Sequence, residues 1–137
     1  MRLLLRILAK VSTTPVPTNK LGYHNVLPNI TVARYIDRIR KFGRLDKAVL
    51  NLTALYVLRL SKTMQIHVGN THRLIGILLL LATKMNNDDH YNNGYWGKLM
   101  GISTREVNAL EREVLTQIKF NLYPFPNGRE LILLNKI

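Results

Sequence analysis

The 137-residue chain has no cysteine. Its absence excludes disulfides, cysteine nucleophiles, thiolate zinc sites and iron–sulfur ligation. Acids are scarce as well: eight Asp and Glu stand against twenty Lys and Arg, a net charge of +12, and no acid precedes Asp37. A small domain so basic implies an anionic partner, whether nucleic acid, an acidic protein face or an anionic membrane, unless the charge serves solubility alone. Long apolar runs are also missing. The longest, Leu74 to Ala82, is broken only by Gly76, and spanning a bilayer takes about twenty residues.

What is present is globular. Hydrophobic residues make up 47% and charged residues 20%, enough apolar material for one domain with a core of its own. The amino terminus, Met1-Arg2-Leu3-Leu4-Leu5-Arg6-Ile7-Leu8-Ala9-Lys10, is basic and amphipathic. Arg6 interrupts any secretory signal. Two readings remain: a helix docked on the domain through Leu4, Leu5 and Leu8, or a segment resembling a mitochondrial presequence. Residues 11–28 hold three Pro, a Gly and several hydroxyls, so they read as an irregular connector. The N-x-T sequons at Asn29 and Asn51 follow no signal peptide and read as chance.

From residue 30 the pattern is helical throughout, and no segment alternates with period two. Val32, Tyr35, Ile36, Ile39 and Phe42 mark one face of a first helix that Gly43 stops. Asp46 caps a second helix running to about Met64. Its stripe is Val49, Leu52, Tyr56 and Leu60, widened by Leu50, Val57 and Leu58. A third helix runs from Asn70 or Thr71 to about Asn86. Its middle has no polar face, so it is buried all round and forms the centre. Tyr95 to Met100 makes one or two turns. Ser103 and Glu106 then form a capping box for a fifth helix, whose inward residues are Val107, Leu110, Val114 and Ile118. Pro124 and Pro126 close it. The fold class is all-α: five helices around a buried third, with a short N-terminal helix and a C-terminal piece over Glu130 to Leu134.

Catalytic chemistry does not assemble in the sequence. His24, His67, His72 and His90 lack metal-ligand spacing, and Gly94, Gly97 and Gly101 fit no phosphate-binding loop. No G-x-S-x-G elbow occurs. Asp88 and Asp89 read as solvated acids. The sequence therefore reads as a binding module with no catalytic residue, metal or cofactor. Two charges stand at odd positions. Glu111 falls beside the apolar stripe of the fifth helix, whereas Arg112 and Glu113 point away, and Lys84 ends the buried third helix. Either each reaches water on its long stem, or both reach one surface where a partner docks.

The string Pro28-Asn29-Ile30-Thr31-Val32-Ala33-Arg34-Tyr35-Ile36-Asp37-Arg38-Ile39 resembles the opening of the cyclin box in P-type (U-type) cyclins. Three more segments follow in that family's order. They are Asn70-Thr71-His72-Arg73-Leu74; Ala82-Thr83-Lys84-Met85 with Asp88-Asp89-His90-Tyr91-Asn92-Asn93; and Gly101-Ile102-Ser103 with Val107-Asn108-Ala109-Leu110-Glu111. Departures are Leu58, where the family carries an acid, Met100 before Gly101, and a more polar end to the fifth helix. The lost acid puts a structural ion pair in question.

The resemblance implies an N-terminal helix and connector over 1–28, a cyclin box over 29–125 and an extension over 126–137. It implies a regulatory subunit, not an enzyme, that binds a cyclin-dependent protein kinase. The third and fifth helices would grip the kinase helix whose glutamate pairs with the active-site lysine, with Lys84 and Glu111 meeting kinase backbone. Such a subunit is expected in the cytoplasm or nucleus. Two alternatives compete. One is a cyclin-fold scaffold subunit of a large assembly, a mitochondrial one if the N-terminal segment is a presequence, serving no kinase. The other is nucleic-acid binding through Arg34, Arg38, Arg40, Lys41, Arg44 and Lys47.

Overall fold

A computed structural model describes residues 1–13 and 30–137. The connector from residue 14 onward, His24 and the Asn29 sequon lie outside the described residues. The elements are α1 (Arg2–Val11), β1 (Ser12–Thr13), α2 (Val32–Gly43), α3 (Lys47–Leu60), β2 (Ile66–His67), α4 (Thr71–Asn86), α5 (Asn93–Met100), α6 (Thr104–Gln117) and α7 (Gly128–Asn135). The five helices read from the sequence are α2 to α6. The architecture is all-α. Among the described residues the one strand pairing is a two-residue parallel match of Ser12 with Ile66 and Thr13 with His67, too short to leave an alternating pattern.

The apolar run of the third helix decides the arrangement. From Thr71 to Thr83, α4 is buried everywhere except at Arg73. Helices α2, α3, α5 and α6 all pack on it. Its Gly76 lets α5 approach: a Cβ there would lie 2.6 Å from the Met100 side chain. The expected core residues of α3 and α6 are all buried, Leu58 included. The N-terminal helix docks on α3 through Leu4, Ile7 and Leu8. Ile7 replaces Leu5 as the third anchor, because residues 4, 7 and 8 share one helical stripe and Leu5 sits at its margin.

Several boundaries differ from expectation. Gly43 does not terminate α2; it is buried inside the last turn, and Arg44 takes the left-handed position at φ 56°. Phe42 has drifted off the inward face and is exposed, since ten residues on it has rotated well away from Val32. Helix α3 ends at Leu60, not Met64. At α6, Ser103 accepts from the Glu106 amide at 3.1 Å, but the Glu106 carboxylate turns to Arg73 at 3.4 Å, so only half of the capping box forms. The same helix stops at Gln117, well before Pro124, because Lys119 and Phe120 adopt positive φ of 55° and 57°. The complete capping box lies at α7 instead, between Asn127 and Glu130.

Arg59 links this last helix to the core. Its guanidinium donates to Glu130 at 2.9 and 3.2 Å. It also donates to the carbonyls of Asn121, Tyr123 and Phe125 at 3.0, 2.7 and 3.1 Å. Arg59 thus makes a buried ion pair with the C-terminal segment, while Leu58 beside it is buried as an apolar side chain and makes none. Burial pushes the Glu130 carboxyl up, but hydrogen bonds from Arg59 and the Asn127 amide, with the charges of Arg59 and Lys62, hold it below the usual range.

Removing one partner of such a pair leaves a buried charge uncompensated. Arg59→Ala is expected to cost about 3–5 kcal/mol in denaturant unfolding. Because the folded Glu130 carboxyl titrates lower than the unfolded one, the unfolded chain binds more protons in acid. This contribution is therefore full above about pH 5 and lost as pH falls through the folded value, and a Glu130→Gln variant should show a flatter acid limb.

Candidate functional site

Lys84 occupies the last turn of α4, and Glu111 lies in the middle of α6. The packing of α6 on α4 brings them together. Lys84 Nζ donates to Glu111 Oε2 at 2.8 Å. The other carboxylate oxygen, Oε1, accepts from Asn93 Nδ2 at 3.1 Å, and the same Asn93 amide reaches Asn108 Oδ1 at 2.8 Å. The side chains keep 31% and 15% of their surface, respectively, so the pair sits at the rim of the core and not inside it.

The local sequence explains the geometry. Asn92 caps α5 by accepting from the Tyr95 amide at 2.9 Å, which places Asn93 in the first turn facing α6. Asn108 and Glu111 are three apart on α6 and share a face. The two readings of Lys84 and Glu111 are therefore both incomplete. They reach one surface, but in the free chain they satisfy each other. Asn93 and Asn108 were not singled out as site residues. The signal for them was present, because both fall inside the motif strings that carry the family resemblance.

A separate cleft of about 240 Å³ is lined by Gly43, Arg44, Thr83, Asn87, Asp89, His90, Tyr91 and Trp96, none of which belongs to the pair or its asparagines. Thr83 turns its hydroxyl back to the Leu79 carbonyl at 2.7 Å. Elsewhere on α6, burial pushes the Glu113 carboxyl up; this side chain is half-buried, not turned fully away. The basic cluster is real but partly neutralised. Arg34, Arg38 and Lys41 are exposed on α2, whereas Arg40 donates to Asp37 at 2.6 Å. Among the described residues no three His, Asp or Glu side chains converge on a metal position.

A partly solvated lysine–carboxylate pair contributes little to folding. A double-mutant cycle of Lys84→Ala and Glu111→Ala, measured by thermal and denaturant unfolding, should give a coupling of about 1 kcal/mol or less.

Comparison with known proteins gives the chain a family. The family model for cyclins matches residues 8–122. Cyclin-U4-1 of Arabidopsis thaliana is 34% identical over 103 residues, which is 73% of this chain and 51% of that protein. Cyclin-U3-1 of the same plant is 36% identical over 101 residues, 72% and 46% respectively. Cyclin-P1-1 of Oryza sativa subsp. japonica is 31% identical over 98 residues, 69% and 37%. The chain thus spans about half the length of the curated relatives it matches. With the helix order, the buried central α4 and these matches in hand, the chain belongs to the cyclin family.

Proposed function

We propose that this chain is a regulatory subunit that binds and positions a cyclin-dependent protein kinase, with Lys84 and Glu111 as its gripping residues. The observation that supports this reading is the rim-exposed Lys84–Glu111 pair, held between α4 and α6 at 2.8 Å. Lys84 offers N–H donors and Glu111 offers acceptor oxygens a few ångströms away. That combination matches the C=O and N–H groups of a helix end or loop in a partner, and charge assistance strengthens both bonds.

Binding at this site is an exchange. The intrachain bond opens, Lys84 turns to a partner carbonyl and Glu111 to a partner amide, while Asn93 keeps the carboxylate oriented. No charge is left buried and bare at any stage, which keeps the exchange cheap. The subunit itself supplies no catalytic group in this reading. It biases the position of a kinase helix whose glutamate must meet the active-site lysine, and the kinase carries the chemistry. The working compartment would be the cytoplasm or nucleus.

A second reading is a cyclin-fold scaffold within a large assembly, and the net charge of +12 with no acid before Asp37 favours it. The two are separated by native purification of the tagged full chain in moderate salt. A stoichiometric protein kinase is expected. Lys84→Glu and Glu111→Lys should each weaken its retention about 30-fold or more with the thermal midpoint little changed. The double exchange Lys84→Glu with Glu111→Lys should restore the internal pair without restoring the kinase. Recovery of a large complex lacking any kinase, or full kinase retention by both single variants, would sink the kinase reading.

A further inference from the structure

Six of the ten large hydrophobic side chains that stand exposed among the described residues fall between 120 and 133. They are Phe120, Tyr123, Phe125, Leu131, Ile132 and Leu133, at 40–68% exposure. A concentration of this kind marks an interaction surface, whereas apolar residues scattered singly do not.

The display is built, not frayed. Arg59 draws the carbonyls of Tyr123 and Phe125 inward, and their rings stand outward, stacked edge to face at 5.7 Å. Lys119 and Phe120 hold positive φ that glycine would adopt without strain. In α7, Glu130 is buried while Leu131, Ile132 and Leu133 face solvent. The region carries one sign of charge. Between residues 114 and 137 the cations are Lys119, Arg129 and Lys136, and the single acid is Glu130, already bound to Arg59. The outer side of α1 extends the cationic zone: Arg6 and Lys10 line a shallow cleft with Lys136.

We infer that this face, made of the 120–125 aromatics, the outer side of α7 and the basic side of α1, binds an anionic membrane surface. The aromatics and aliphatics would enter the headgroup boundary while the cations meet lipid phosphates and carboxylates. Three observations favour lipid over other occupants. The rings protrude at 63–68% exposure and so offer anchors, not a shape for one partner to match. A second copy would bring the same cations against themselves. And the combination of exposed aromatic, aliphatic and basic side chains is that of interfacial anchors.

The test is co-sedimentation of the full chain with vesicles containing about 30% phosphatidylserine in phosphatidylcholine, against phosphatidylcholine alone. Binding is expected only to the anionic vesicles and should fall steeply when salt is raised to about 0.5 M. The variant Phe120→Ser/Tyr123→Ser/Phe125→Ser should bind at least about tenfold more weakly with unchanged circular dichroism. Leu131→Ser/Ile132→Ser provides an independent check should the first variant misfold. Neutralisation of Arg6 and Lys10 by Gln should cost roughly fivefold per cation. No binding to anionic vesicles overturns the inference and leaves the face to a protein. Wild-type binding by both apolar variants, or equal binding to neutral vesicles, overturns it too.

Discussion

The buried contact between Arg59 and Glu130 holds the segment from Asn121 through α7 in place. One guanidinium satisfies a carboxylate and three backbone carbonyls at once, over separations of 62 to 71 residues. Planarity and five fixed donors make arginine the only side chain able to do this. The carbonyls are those of an irregular segment with no ladder of its own, so without Arg59 their desolvation would have no compensation. Tyr56 adds a parallel tie, its hydroxyl donating to the Leu122 carbonyl at 2.6 Å, and burial pushes that hydroxyl's pKa up to about 12. Everything the segment presents outward depends on what it satisfies inward.

The second constraint is the absence of a polar face on α4. A helix with no water-facing stripe must be enclosed, and four neighbours enclose it. Enclosure forces α6 against the end of α4, which brings Lys84 and Glu111 into contact. Close approach sets further limits. A Cβ on Gly97 would lie 2.7 Å from the Ile102 carbonyl oxygen, so the α5–α6 corner admits only glycine without a backbone shift. Site and core are in this sense one arrangement: the pair stands where the core's packing ends.

Much of this was legible from residue order. Periodicity identified α2, α3, α4 and α6, while α5 was read only as a short piece between breaks and its buried Trp96, Leu99 and Met100 were not; the Asp46 cap is seen as read, accepting from the Val49 amide at 3.0 Å. Boundaries were less legible, for physical reasons. Gly43 looked like a stop because glycine tolerates positive φ, yet the helix runs through it and Arg44 takes the left-handed position. The prolines looked like the end of α6, but two strained residues ended it first. At the site, the helical wheel found both misplaced charges, but it could not show that they face each other. That fact belongs to the crossing of two helices, not to either one. The role of Arg59 was invisible because its partner lies 71 residues away and no local pattern announces it.

That separation has a consequence for how the molecule comes into being. During synthesis, residue 59 leaves the ribosome long before residue 130, and domains generally fold from the N-terminal side at the pace of elongation. The helices up to α6 can collapse around α4 early, since every helix that packs on α4 is complete by residue 117. Through that interval Arg59 is a cation with only water for company, at a position that will later be 6% exposed. The segment after α6 is therefore unfastened until α7 arrives, and Glu130 works as the latch that closes it.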